Sequence, residues 1–211
     1  MQHRETLLRI LEDCVARSER EKLSLGEVLE SLKTSAIALS TVLLCLPFMQ
    51  PLTLGPLSSA GGLVLASFGL QLWQGRAKLW LPQRLYQIKL WERLLGVCRF
   101  VIKVLSKVTR ERLVSWTDGR FGERIAGAMI MTGGVLLVIP APILPFNNTL
   151  PALSMLFAAI AVLERDGLML LVSAFWLLAT IAYFSLFFYA VIVFGSEAGV
   201  WLTNQWKGLI G

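Results

Sequence analysis

Charge is what this sequence has least of. Only 16% of its 211 residues are Asp, Glu, Lys or Arg, against about 25% in an ordinary soluble domain. Histidine occurs once, as His3, which leaves almost no basis for histidine-centred acid–base catalysis or for zinc ligation. The three cysteines, Cys14, Cys45 and Cys98, are scattered and odd in number. They offer neither a disulfide framework nor metal-ligand spacing. We therefore expect no metal, no cofactor and no enzymatic reaction. Residues 1–33 are charged throughout and lack the apolar core of a signal peptide, so insertion through internal segments is expected.

Where charge is missing, it is missing in long blocks. Thr34 to Gly75 holds 42 residues without a charge, and Ile125 to Leu163 holds 39. A third run, Gly167 to Ser196, holds 30 and exceeds the roughly 20 residues that span a bilayer. With 55% apolar residues and a mean hydropathy of +0.65, the chain reads as an integral membrane protein. Pro47, Pro51 and Pro56 interrupt the first block, and Pro140, Pro142, Pro145 and Pro151 the second. Proline lacks a backbone donor and clashes with the preceding turn, so neither block forms one continuous helix.

The cations are confined. Of 20 Lys and Arg, six lie in residues 1–33 and twelve in 76–124, leaving only Arg165 and Lys207 elsewhere. By the positive-inside rule both basic segments, and with them the N-terminus, face the cytoplasm. Because these cations flank membrane segments, lipid headgroups account for them more simply than nucleic acid does. Leu7, Leu8, Leu11 and Val15 recur at helical spacing opposite a charged face, and Ser24 with Glu27 forms a capping-box pattern, so 1–33 reads as interfacial amphipathic helix. Residues 76–124 read the same way, with Trp80 and Trp91 as interface anchors and Thr117-Asp-Gly-Arg120 as a turn.

The expected fold is an all-α polytopic membrane protein. It has amphipathic 1–33, membrane hairpin one over 34–75, basic 76–124, membrane hairpin two over 125–166, and a C-terminal transmembrane helix and tail over 167–211. The arms of the hairpins are Ser35–Leu46 with Leu57–Trp73, and Ile125–Ile139 with Ala152–Leu163. They are short for full spans, so the hairpins are either tilted short helices or re-entrant loops whose tips stay inside protein. Ser58, Ser59, Gly61, Gly62, Ala66 and Gly69 give one arm a small-residue surface suited to close helix contact. The shared plan of the blocks points to an internal repeat, and two interrupted segments in one chain point to a site inside the bilayer.

Candidate site residues follow from rare polarity. Glu164, Arg165 and Asp166 end one apolar run and precede another, which fits a gate or ion-coupling site. An ordinary cytoplasmic turn is the competing reading. Arg76, Gln71 and Gln74 sit at the exit of block one, where the amides either line a path or tie two helices together. Near the breaks, Gln50, Thr53, Asn147, Asn148 and Thr149 flank freed backbone carbonyls, which bind ions in broken helices. Plain turns are the alternative there. The sequence places a functional site where the polar exit of block two approaches the broken backbone of block one.

Leu23-Ser-Leu-Gly-Glu27, Gln71 to Arg76 with Trp80-Leu-Pro82, and Pro140, Pro145, Asn148, Leu150-Pro151-Ala152 with Leu163-Glu-Arg-Asp-Gly167 together resemble the ExoD family of bacterial membrane proteins. The Leu-Glu-Arg-Asp-Gly exit is the most specific part. The resemblance implies a bacterial inner-membrane protein connected to exopolysaccharide production and implies no defined reaction. The expected function is a small transporter or channel for an ion or small solute, embedded in the lipid bilayer and acting as a homodimer. A non-transporting accessory protein of exopolysaccharide biosynthesis is the alternative.

Overall fold

The computed structural model describes residues 34–49, 55–76, 119–139 and 146–210, with side chains described from Ser35 to Gly195. Readings made above for 1–33 and 77–118, and for Gln50, Pro51, Thr53, Pro140, Pro142 and Pro145, lie outside these residues. Every described element is helical. In chain order they are α1 (Thr34–Cys45), a 3-10 turn (Leu46–Met49), α2 (Pro56–Trp73), α3 (Gly119–Val138), α4 (Thr149–Glu164) and α5 (Gly167–Ile210).

Proline acts at the edges of these helices. Pro47 lies in the 3-10 turn that ends the first arm. Pro56 opens α2, where the donor it lacks would be unpaired anyway. Pro151, read above as a helix-breaking residue, is the third residue of α4 and is tolerated in that first turn for the same reason. Helix α3 starts at Gly119, six residues before the apolar run. Gly119, at φ 76°, ends the approach in a conformation glycine adopts freely, and Arg120, Glu123 and Arg124 are carried inside the helix.

Glycines set the register of the bundle. Gly62 and Gly69 on α2 face Gly134 and Gly127 on α3. A Cβ at Gly62 would fall 2.7 Å from the Gly134 carbonyl oxygen, and one at Gly134 would fall 2.8 Å from that of Gly62. The second pair is reciprocal in the same way, at 2.6 and 2.8 Å. A spacing of seven residues keeps both glycines on one helix face, so α2 and α3 meet backbone to backbone. Since 62 pairs with 134 and 69 with 127, the two helices run antiparallel. The Ser59 hydroxyl donates to the Val138 carbonyl at 3.1 Å and extends the contact to the end of α3.

Helix α4 returns along α3, with Gly133 against Pro151 and Met155, and α1 packs on α4. The first break sits with the start of α2, because Phe48 of the 3-10 turn fills the space beside Gly61. The end of the first arm thus lies beside the start of α2, and the start of α4 beside the end of α3. Helix α1 is buried nearly all round: Ala36, Ile37, Ala38, Thr41 and Cys45 have no exposed surface. Such a helix belongs inside a bundle. At about 1.5 Å per residue, α1 and α4 rise about 18 and 24 Å, and α2 and α3 about 27 and 30 Å. The short helices are the paired inner ones.

Among the described residues, two helices are long and apolar enough to cross a membrane, α3 over Gly119–Val138 and α5 over Gly167–Gly195. The chain divides into two compact units, Met1–Leu177 and Leu178–Gly211. In the first, α5 begins with a buried tie. The hydroxyls of Ser154 and Ser173 each donate to the other's backbone carbonyl, at 3.2 and 2.8 Å. The second unit exposes Leu178, Ile181, Leu186, Tyr189, Ile192 and Phe194, an outward apolar surface suited to lipid.

Candidate functional site at the charged end of the bundle

The exit of α2 is a compact chain reversal. Gly75 takes φ 69°, its N–H donates to the Leu72 carbonyl at 3.0 Å, and the N–H of Arg76 donates to the Gln71 carbonyl at 3.0 Å. These two bonds satisfy the last helical carbonyls. The exit of α4 is built alike. Arg165 takes φ 50° and ψ 40°, with its N–H on the Ala161 carbonyl, and the N–H of Asp166 reaches the same carbonyl at 3.2 Å.

At the second exit the side chains alternate. Glu164 is 5% exposed and Asp166 1%, while Arg165 between them is exposed. Asp166 Oδ1 accepts the backbone N–H of Leu168 at 3.0 Å, so this carboxylate caps the first turn of α5. A turn is present here, and Arg165 supplies its left-handed residue. Gln71 is buried in the core, whereas Gln74 is exposed; the two amides do not share an environment.

Antiparallel packing gathers these groups. The end of α2 lies beside the start of α3, since a Cβ at Gly127 would meet the backbone of Leu72 and Trp73. The end of α4 reaches the same place, where Glu123 lies within electrostatic range of both Arg165 and Arg120. Every charged residue with a described side chain is at this end: Arg76, Arg120, Glu123, Arg124, Glu164, Arg165 and Asp166. Among the described residues, no group of His, Cys, Asp and Glu is placed to hold a metal.

Asn147 and Asn148 are buried, at 6% and 2% exposure, but at the opposite, break end, where α4 begins. Phe146 beside them has φ 59°. Among the described residues, the second exit and the flanks of the first break, Phe48 and Pro56, lie at opposite ends of α4. Glu123 was missed by sequence reading, which assigned it to the basic segment. Its signal was the pattern Arg120-x-x-Glu123-Arg124 directly abutting an apolar run. The Ser154–Ser173 tie left no such mark, since single serines in apolar helices are common.

The sequence matches the family described as "Exopolysaccharide synthesis, ExoD" over residues 7–186. The chain belongs to the ExoD family. Protein ExoD of Rhizobium meliloti (strain 1021) is 31% identical over 185 residues, covering 86% of this chain and 77% of that protein. An uncharacterized protein of Synechocystis sp. (strain PCC 6803) is 27% identical over 164 residues, 75% of this chain and 76% of that protein. No solved structure matches the chain. The resemblance drawn from the block-two prolines and the Leu-Glu-Arg-Asp-Gly exit is borne out. Family membership ties the chain to exopolysaccharide synthesis, and together with the apolar helices it points to a membrane protein.

Proposed function

We propose that this ExoD-family protein is a small transporter or channel for an ion or small solute in the bacterial inner membrane. In this reading it is a homodimer with a cytoplasmic N-terminus, and it supports exopolysaccharide production from outside the sugar chemistry. The observation that carries the reading is Glu164: a carboxylate 5% exposed that ends the apolar helix α4. A carboxylate in apolar surroundings is expensive unless paired, and in membrane proteins such groups serve ion pathways. Asp166 is less suited to this role, because its oxygen already caps α5. The short inner helices α1 and α4 add support, since interrupted helices buried in protein frame sites in transporters.

The test is flux into proteoliposomes across a panel of cations, anions and small solutes, with Glu164→Gln alongside. The proposal expects flux that Glu164→Gln abolishes while the folded protein persists. Absence of flux for the whole panel would leave the second reading, a non-transporting accessory of exopolysaccharide assembly. The specific observation favouring that reading is the capping bond of Asp166, which gives the buried second exit a purely structural use.

A further inference from the structure

The cations with described side chains have three properties in common. All four are arginines, all four are exposed, and all four lie at one end of the bundle: Arg76 after α2, Arg120 and Arg124 in the first turns of α3, and Arg165 after α4. The same end exposes Trp73 at 49% and Phe121 at 68%, whereas the described residues at the break end carry no charge. Tryptophan at the edge of an apolar helix sits at headgroup depth. Arginine's planar fork matches phosphate oxygens in pairs, which lysine's ammonium does not.

Arg165 adds an independent observation. It holds a left-handed backbone position that the first block fills with Gly75. A bulky residue there is strained, and such strain persists where the side chain has a use. Arg165 is exposed, while Glu164 and Asp166 on either side of it are buried. Glu123 balances part of this charge, between Arg165 and Arg120; Arg76 and Arg124 are additional to that group.

We propose that this arginine rim is a binding surface for the phosphates of anionic phospholipid headgroups, with Arg165 as its central contact. The surface uses the cytoplasmic leaflet's negative charge to hold the charged end of the bundle at the membrane boundary. It is independent of whether the protein transports anything.

The test uses the full chain purified in detergent. Lipid retention by native mass spectrometry and thermal melting would be measured with added phosphatidylglycerol, with phosphatidylcholine, and with inorganic phosphate. Two triple variants accompany it, one with Arg120, Arg124 and Arg165 changed to Gln and one with all three changed to Lys. The proposal expects phosphatidylglycerol to be retained and to raise the melting temperature, phosphatidylcholine and phosphate to do neither, and affinity to fall about five-fold per arginine lost to Gln. It also expects the Lys variant to retain only part of the binding. Equal stabilisation by phosphatidylcholine would overturn it, as would equal stabilisation by inorganic phosphate, which would mark a free-anion site. If the Gln variant does not fold, Arg165→Gly alone decides: it relieves the backbone, and undiminished phosphatidylglycerol binding by that variant would equally refute the proposal.

Discussion

Gly75 and Arg165 occupy the same position in two copies of one helix-ending motif. Each takes a left-handed conformation, at φ 69° and 50°. In each case the N–H of the following residue reaches back five residues to a helical carbonyl, from Arg76 to Gln71 and from Asp166 to Ala161. The blocks therefore share a backbone plan even where their side chains differ: Gln74-Gly75-Arg76 in one, Glu164-Arg165-Asp166 in the other. In the second copy both neighbours of the left-handed residue are buried acids. Two exits of one geometry carry different chemistry.

Glycine at 165 should be the more stable choice. A left-handed conformation costs a residue with a Cβ about 1–2 kcal/mol relative to glycine. In a chain of this size 1 kcal/mol corresponds to about 2–4 °C. Arg165→Gly is expected to raise the melting temperature of the detergent-purified protein by a few degrees, and Gly75→Ala to lower it by a similar amount. Opposite signs measured side by side check the shared motif. A destabilised Arg165→Gly would show that the guanidinium contributes more to folding than the strain removes.

Asp166 can be separated from Glu164 by its capping bond. Asp166→Ala removes the acceptor for the Leu168 N–H and should cost about 0.5–2 kcal/mol. Asp166→Asn and Asp166→Ser keep an acceptor oxygen and should melt close to the parent protein. Thermal melting of the three variants distinguishes a cap from a charge: if Asn is as damaging as Ala, the negative charge matters beyond the bond.

The glycine seam between α2 and α3 has little room to adjust, because the nearest atom facing each glycine is backbone. A methyl at Gly69 would fall 2.6 Å from the Gly127 carbonyl oxygen, and forcing atoms into a packed interface costs about 1–3 kcal/mol. Gly69→Ala and Gly127→Ala should each lower the melting temperature by several degrees. Gly195→Ala is the control, since nothing lies within 4 Å of its added carbon. Similar melting for all three would mean that the helices do not meet in this register.

Helix limits were legible because proline and charge mark them. Leu57–Trp73 was expected and Pro56–Trp73 is found; Ala152–Leu163 was expected and Thr149–Glu164 is found. Charge misled at the start of α3, where Arg120, Glu123 and Arg124 hid a helix that begins in polar surroundings. The small residues of α2 were visible as a contact surface, but their partner was not, because pairing depends on register between distant segments. Glycines seven apart in both helices were the unread clue. The site itself was half legible. Rare polar residues picked out Asn148 and Glu164 at the two ends of one arm, but only the packing of the helices shows that Glu123 and Arg120 of α3 stand at the Arg165 end.

Cys45 reports on whether the first break is open to water. It ends α1, the shortest arm, which at about 18 Å is well under the hydrocarbon thickness of about 30 Å. Its thiol is free and has no exposed surface. In a variant with Cys14→Ser and Cys98→Ser, Cys45 should resist a membrane-impermeant maleimide in intact vesicles and react fully after denaturation in SDS. Rapid labelling in the native state would mean that the end of α1 opens to solvent, making the break an ordinary external loop and weakening the case for a site framed by short helices. Protection alone fits either lipid or protein cover. A membrane-permeant maleimide separates them, because a thiol packed against protein in α1 should stay slow to that reagent too.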